Sequence, residues 1–221
     1  MRKATEEVRR RIDSEKALSG TISTGQVRAI SSSVYRDIED KSLDHVLALS
    51  EELLQRRDWA QGVVAYDWAF RVRNQYTART FRVFEHWLKT YVTGWGSCDD
   101  FCTHAMGALL SRDNERFESV MKWTDDPNFC VRRAAAVSLI YPIRKDRYDG
   151  INPFAVSDAL MGDDHHLVLK GYGWMLKVLS QQEPGRVFDY LKRNSAVMPR
   201  VSFRYALEKL RKEDRDHLMG L

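Results

Sequence analysis

The sequence predicts an all-α fold, on three observations. Apolar residues recur at i, i+3, i+4 and i+7 in about twelve stretches from Thr5 onward; no stretch alternates as a half-buried strand would; and the breaks between stretches are short and carry Gly, Pro or polar residues. In chain order, the first clear element holds Leu43, Val46, Leu47, Leu49, Leu53 and Leu54 on one face, with Ser42 placed to cap its start. The next holds Phe81, Phe84, Trp87, Leu88 and Tyr91. After a break at Gly94 and Gly96, Ser97 stands at a second N-cap position, with Asp100 three residues on in an approximate capping box. Further breaks at residues 125–128, 149–153, 162–164 and 181–185 space the elements at intervals of roughly 15 to 30 residues. Short helices paired at this rhythm predict a HEAT-like helical-repeat solenoid of antiparallel helix pairs, in which each pair covers the apolar face of its neighbour. Internal identity between repeats is too low to exclude the alternative, a compact helical bundle.

The chain has 221 residues, 43% hydrophobic and 30% charged, with 5 Pro and 12 Gly. That composition excludes fibrous and disordered classes, and the length fits a single domain over 1–221. No apolar run approaches the roughly 18 to 20 residues of a membrane span, and the opening Met-Arg-Lys-Ala-Thr-Glu-Glu has no leader-like apolar stretch. The expectation is a cytoplasmic protein with no membrane partner. Three cysteines, Cys98, Cys102 and Cys130, are an odd set that fits a reducing compartment, and no disulfide is predicted. A formal charge of +4, from 35 Lys and Arg against 31 Asp and Glu, is a weak signal for an acidic partner. Counterion release depends on cations gathered on one face, and total charge does not report that.

Three segments carry candidate chemistry. In Tyr91-Val-Thr-Gly-Trp95-Gly-Ser-Cys98-Asp99-Asp100-Phe101-Cys102, a helix starting near Ser97 puts Asp99 and Asp100 in its first turn, where the helix dipole favours an ionised carboxylate. The plain alternative is that these acids cap the helix and Trp95 is core. In Trp123-Thr-Asp-Asp-Pro127-Asn-Phe129-Cys130-Val131-Arg132-Arg133, two arginines sit early in a helix against its dipole. That cost suggests a phosphate contact or a charged pair with an aspartate; a solvated surface pair is the alternative. In Leu167-Val-Leu-Lys170-Gly-Tyr172-Gly173-Trp174-Met175-Leu176-Lys177, two glycines inside an apolar helix cost about 1 kcal/mol each relative to Ala, which makes sense where a helix or ligand approaches the backbone closely. Trp174 is core by default. Cys98, Cys102 and His104 match no common zinc spacing and lack an evident fourth ligand, so neither a metal nor any other cofactor is expected. A Cys102–His104 nucleophile pair is disfavoured because i and i+2 residues do not face each other on a helix.

Taken in order, Trp95 with Asp99, Phe129 with Arg132-Arg133, and Lys170 with Gly173-Trp174 resemble the motifs of the AlkD-like DNA alkylation repair enzymes, a family of HEAT-like repeat DNA glycosylases. The resemblance runs from about residue 20 to residue 210, helped by Met198-Pro199 and Arg204-Tyr-Ala206-Leu. It implies a curved helical arch whose concave, basic face holds duplex DNA carrying alkylated bases, with no obligate protein partner. It also implies that Asp99, Trp95 and Trp174 line the catalytic cleft and that Arg133, with Arg132, Lys170 and Lys177 as further candidates, contacts the DNA. The reaction implied is hydrolytic release of positively charged N3- or N7-alkylated purines. Two departures stand out: Leu176-Lys177-Val178 follows the second tryptophan where the family often has Leu-Arg-Glu, and Phe129 replaces the usual Trp. A repeat fold also hosts non-catalytic proteins that bind DNA structures or a protein partner, and the retained Trp95, Asp99 and Trp174 are what favour an enzyme.

Overall fold

The computed structural model describes residues 2–221; Met1, the first residue of the opening without a leader-like stretch, and the side chain of Arg2 lie outside the described residues. The chain is all-α, as its periodicity predicts, with no strand among the described residues. None of the described helices is long and apolar enough to cross a membrane. The chain divides into two compact units, residues 1–93 and 94–221.

The first unit holds α1 (Arg2–Ser19), α2 (Thr24–Arg36), α3 (Leu43–Leu54), α4 (Trp59–Arg71), a 3₁₀ turn (Arg73–Gln75) and α5 (Ala78–Tyr91). Local chemistry sets the starts and stops. Gly20 follows α1 at φ +74°, a left-handed conformation that costs glycine nothing. Ser23 and Gln26 close a capping box on α2, and Asp58 accepts from the Ala60 and Gln61 amides at the start of α4. Ser42 occupies the N-cap of α3 as expected but makes no side-chain cap bond. The core forms where the periodic stripes meet: α4 packs on α2 and α3, and Trp68 and Trp87 are fully buried. The indole N–H of Trp68 donates to the Ser31 carbonyl at 3.2 Å and that of Trp87 to Glu51 at 2.9 Å, so neither large ring leaves a donor unmet.

The second unit runs through α6 (Trp95–Phe101), a π turn (Cys102–Met106), α7 (Gly107–Leu110), α8 (Phe117–Lys122), α9 (Phe129–Val137), α10 (Ile140–Arg144), α11 (Pro153–Leu160), α12 (His166–Leu179), α13 (Pro184–Arg193), α14 (Arg200–Leu207) and α15 (Lys212–Met219). Asn128 and Asn152 cap α9 and α11 through their side-chain oxygens, and Pro153 and Pro184 stand at helix starts, where a missing N–H costs nothing. α12 is the central element and packs against α9, α10, α11 and α14. The two glycines inside it answer to close neighbours, as their position in an apolar helix suggested. A Cβ on Gly171 would lie 3.2 Å from the Arg133 side chain, and one on Gly173 would lie 2.8 Å from the Ser202 carbonyl oxygen and 2.9 Å from Tyr205 Cβ. α14 therefore rests on bare backbone. Gly173→Ala is expected to destabilise the protein, because the roughly 1–3 kcal/mol of an overpacked contact against backbone exceeds the about 1 kcal/mol that alanine gains in helix propensity. Chemical denaturation checks this, and an undiminished midpoint would show that α14 shifts at no cost.

Candidate active site

One cleft in the second unit, about 350 Å³ in volume, is lined by Trp95, Asp99, Arg133, Leu167, Lys170, Trp174, Lys177 and Tyr205. Six of the seven residues singled out from the sequence therefore converge on one space from three helices. A larger hollow of about 590 Å³ in the first unit brings together Glu7, Arg11, Asp37, Asp40 and His45 among others, but no Phe, Trp or Tyr. Chemistry, then, distinguishes the smaller cleft.

α12 supplies the floor. Leu167, Lys170, Trp174 and Lys177 recur at intervals of 3, 4 and 3, which places them on one helical face. Tyr172, Met175, Leu176 and Leu179 on the remaining faces are buried. Trp174 is half-buried and turned to the cleft, so the default reading of it as core does not hold. Lys177 donates to Glu208 at 3.0 Å and lies 5.5 Å from the centre of the Tyr205 ring.

α6 supplies the carboxylate. The helix starts at Trp95 with Gly94 as its N-cap, three residues before the N-cap position that Ser97 suggested. Ser97 is not the cap; its hydroxyl donates back to the Gly94 carbonyl at 3.0 Å. Asp99 and Asp100 consequently fall beyond the first turn, and the helix dipole is not what holds Asp99, since that effect fades within one turn. Trp95, one turn before Asp99 on the same face, is 58% exposed and so is not core. Just beyond Asp99 the backbone widens into the π turn, where the Thr103 hydroxyl donates to the Asp99 carbonyl at 2.7 Å and His104 Nδ1 to that of Asp100 at 2.8 Å. Such turns recur at functional sites.

α9 supplies the partner that holds Asp99. Arg133 Nε and Nη2 each donate to one oxygen of the Asp99 carboxylate, both at 2.8 Å, and Nη1 donates to the Leu167 carbonyl. This is a two-pronged charge-assisted pair. Its arginine is 5% exposed as a residue, while the Asp99 side chain keeps 19% of its surface open to the cleft. Burial works against the charge on Arg133, but the hydrogen bonds and negative charge of Asp99 outweigh it, and its pKa is raised. The guanidinium passes beside Gly171 and ties α6, α9 and α12 together. The local cost of an arginine early in α9 is thus met by an aspartate.

Arg132 does not line the cleft. Its guanidinium turns to Asp163 at 2.6 and 3.2 Å and to the carbonyls of Asp126 and Pro127 at 2.9 and 3.1 Å. Burial raises the pKa of Asp163, but the Arg132 hydrogen bonds and the His165 backbone N–H more than reverse it, and the net shift is downward. The three cysteines are free and buried beside the site. A hydrogen bond from Cys102 and burial push the Cys98 thiol well up, and burial with the neighbouring Cys98 pushes Cys130 up to about 12, so neither is a thiolate at neutral pH.

Two lining residues escape a reading of the sequence. Leu167 contributes a backbone carbonyl, which no side-chain pattern reports. Tyr205 lies within the Arg204–Leu207 stretch that helped the resemblance, yet nothing in that stretch pointed to the cleft; only the close approach of α14 at Gly173 brings it there.

A family model described as DNA alkylation repair enzyme matches residues 2–210 of the chain. Among solved structures, the chain is similar to that of a predicted DNA alkylation repair enzyme from Enterococcus faecalis, with a TM-score of 0.66 and 17% identity over 86% of this chain and 87% of that one. At that identity the likeness concerns the fold. No curated protein matches by sequence.

Proposed function

The chain belongs to the DNA alkylation repair enzyme family, and on that basis we propose that it is a monofunctional DNA glycosylase that hydrolyses the N-glycosidic bond of positively charged N3- or N7-alkylated purines in duplex DNA. The observation that carries this reading is the Asp99 carboxylate, held by both prongs of Arg133 and partly open to a cleft walled by Trp95, Trp174 and Tyr205.

Alkylation at N3 or N7 places a positive charge on the purine, so the base departs neutral when the bond to C1′ breaks and its electron pair goes to nitrogen. No proton need be delivered to the leaving group. What rises in the transition state is positive charge on the sugar. A fixed carboxylate in a partly water-excluded cleft stabilises that charge through preorganised electrostatics. Water then adds its oxygen to C1′, and the proton it loses is taken up by Asp99 or by solvent. The ring faces of Trp95 and Trp174 attract the cationic base or sugar, at roughly 0.5–2 kcal/mol for a desolvated contact.

Lys170 and Lys177 line the same cleft and supply positive charge for the phosphates flanking the lesion. Arg133 spends three of its five N–H bonds on Asp99 and Leu167, and the two left over on Nη1 and Nη2 are those free to meet a phosphate. Its larger contribution is to position Asp99.

The test is base release from duplexes carrying N7-methylguanine or N3-methyladenine, beside duplexes carrying uncharged lesions such as hypoxanthine. The expected result is release of the cationic bases with the neutral ones left in place. Equal release of both classes, or of neither, would overturn the reading.

A further inference from the structure

The outward face of α5 in the first unit carries a run of cations that the cleft chemistry does not use. Arg79, Arg82, His86 and Lys89 are all exposed and recur at intervals of 3, 4 and 3. At about 100° per residue they fall within an arc of roughly 80°. The buried residues of the helix, Thr80, Phe81, Phe84, Trp87 and Leu88, occupy the opposite side, so the packing that orders α5 also points the cations straight outward. The stripe is about 15 Å long, at about 1.5 Å per residue.

Its two arginines carry charge that no acid among the described residues pairs with. Arg79 and Arg82 make no ion pair or hydrogen bond among the described residues, and Lys89 lies 3.4 Å from Glu85 on the border of the stripe. Glu51, which shares a shallow hollow with Arg79, Arg82 and His86, has its oxygens engaged by the Trp87 indole N–H at 2.9 Å and the Tyr91 hydroxyl at 3.0 Å. It stands 3.5 Å from His86 Nε2. On α1, by contrast, Arg10 and Arg11 both bind Glu7. Two unpaired guanidinium groups one turn apart, continued by His86 and Lys89 on the same face of a rigid helix, suit a run of phosphates, because each phosphate met by a cation releases a condensed counterion.

We propose that this face of α5 is a docking stripe for the phosphate backbone of duplex DNA, engaging undamaged and damaged DNA alike. The inference rests on the reading of the chain as a DNA enzyme, and it adds a surface built from residues other than those of the cleft.

The test compares the full-length wild type, the double variant Arg79→Gln/Arg82→Gln, and a control, Lys192→Gln/Arg193→Gln, which removes two exposed cations from α13. Binding of an undamaged duplex is followed across salt concentrations, and single-turnover base release is measured at saturating DNA. In the stripe variant the slope of log affinity against log salt is expected to fall by about 1.8, two contacts at about 0.9 each, with affinity several-fold weaker near 0.1 M salt and base release at saturation unchanged. The control should lose markedly less slope. An unaltered slope in the stripe variant, or an equal loss in the control, would overturn the stripe while leaving the glycosylase reading in place. A wild type that releases no alkylpurine and binds no duplex would instead overturn the reading on which the stripe rests. Retention of the wild type, but not of the stripe variant, on phosphatidylserine vesicles in the absence of duplex binding would assign the face to an anionic membrane surface, against the proposal.

Discussion

Asp99→Asn is expected to slow excision of alkylated purines by about 100- to 1,000-fold, the range found when one preorganised electrostatic group is removed from an active site. The substitution keeps the size of the side chain and one acceptor for Arg133. It turns the other oxygen into an NH₂ group facing an arginine donor, at an expected cost of about 1–3 kcal/mol, so a cooperative unfolding transition and retained duplex binding should be verified alongside the rate. Asp100→Asn serves as the comparison. Asp100 is not among the cleft-lining residues and lies 3.6 Å from His104 on its own helix, so that variant is expected to release bases at close to the wild-type rate. Single-turnover rates on N7-methylguanine duplexes decide the matter. Undiminished release by Asp99→Asn would remove the carboxylate from the mechanism, and an inactive Asp100→Asn beside it would move the role one residue along.

Arg133→Ala should produce the largest combined loss, in both stability and rate. Removing one partner of a buried pair leaves the other charge uncompensated, which typically costs 3–5 kcal/mol. Asp99 is 19% exposed, so about 3 kcal/mol is the reasonable expectation here. The truncation also unties the Leu167 carbonyl and opens space beside Gly171. Arg133→Lys separates positioning from simple charge. A lysine retains the positive charge but, as a point charge on a flexible stem, does not grip both oxygens of Asp99 in one plane. It is expected to recover much of the denaturation midpoint and little of the excision rate. Recovery of both would reduce Arg133 to a counter-charge; a variant that is stable and fully active as Ala would refute its role altogether.

A sequence reading treats Arg132 and Arg133 almost alike, as neighbours early in one helix with an unfavourable dipole. That reading names the two outcomes, phosphate or aspartate, without choosing between them. In the fold each guanidinium meets a carboxylate 31 to 34 residues away, Asp163 for one and Asp99 for the other. One residue of helix rotation, about 100°, puts one arginine in the cleft and the other outside it. The position of Asp99 within its helix is a similar case. Ser97 looks like a cap, yet α6 begins at Trp95, because the extended Gly94 takes the N-cap position and the Ser97 hydroxyl bonds backward to it.

Residue order alone accounts for whatever depends on neighbours a turn or two apart: the helices, through their apolar period; the starts of α2, α4, α9 and α11, through their capping side chains; and the shared face of Lys170, Trp174 and Lys177. The glycines of α12 announced a close approach without saying of what. Helix packing settles that Arg133 and α14 are what approach, that Trp95 is exposed, that Asp99 is held by an arginine across the cleft in place of a helix dipole, and that Tyr205 and the Leu167 carbonyl complete the wall. Those features depend on groups more than thirty residues apart in the chain or on backbone atoms that every residue shares. Local propensity reports neither, because the free energy that settles them is released only when the helices pack.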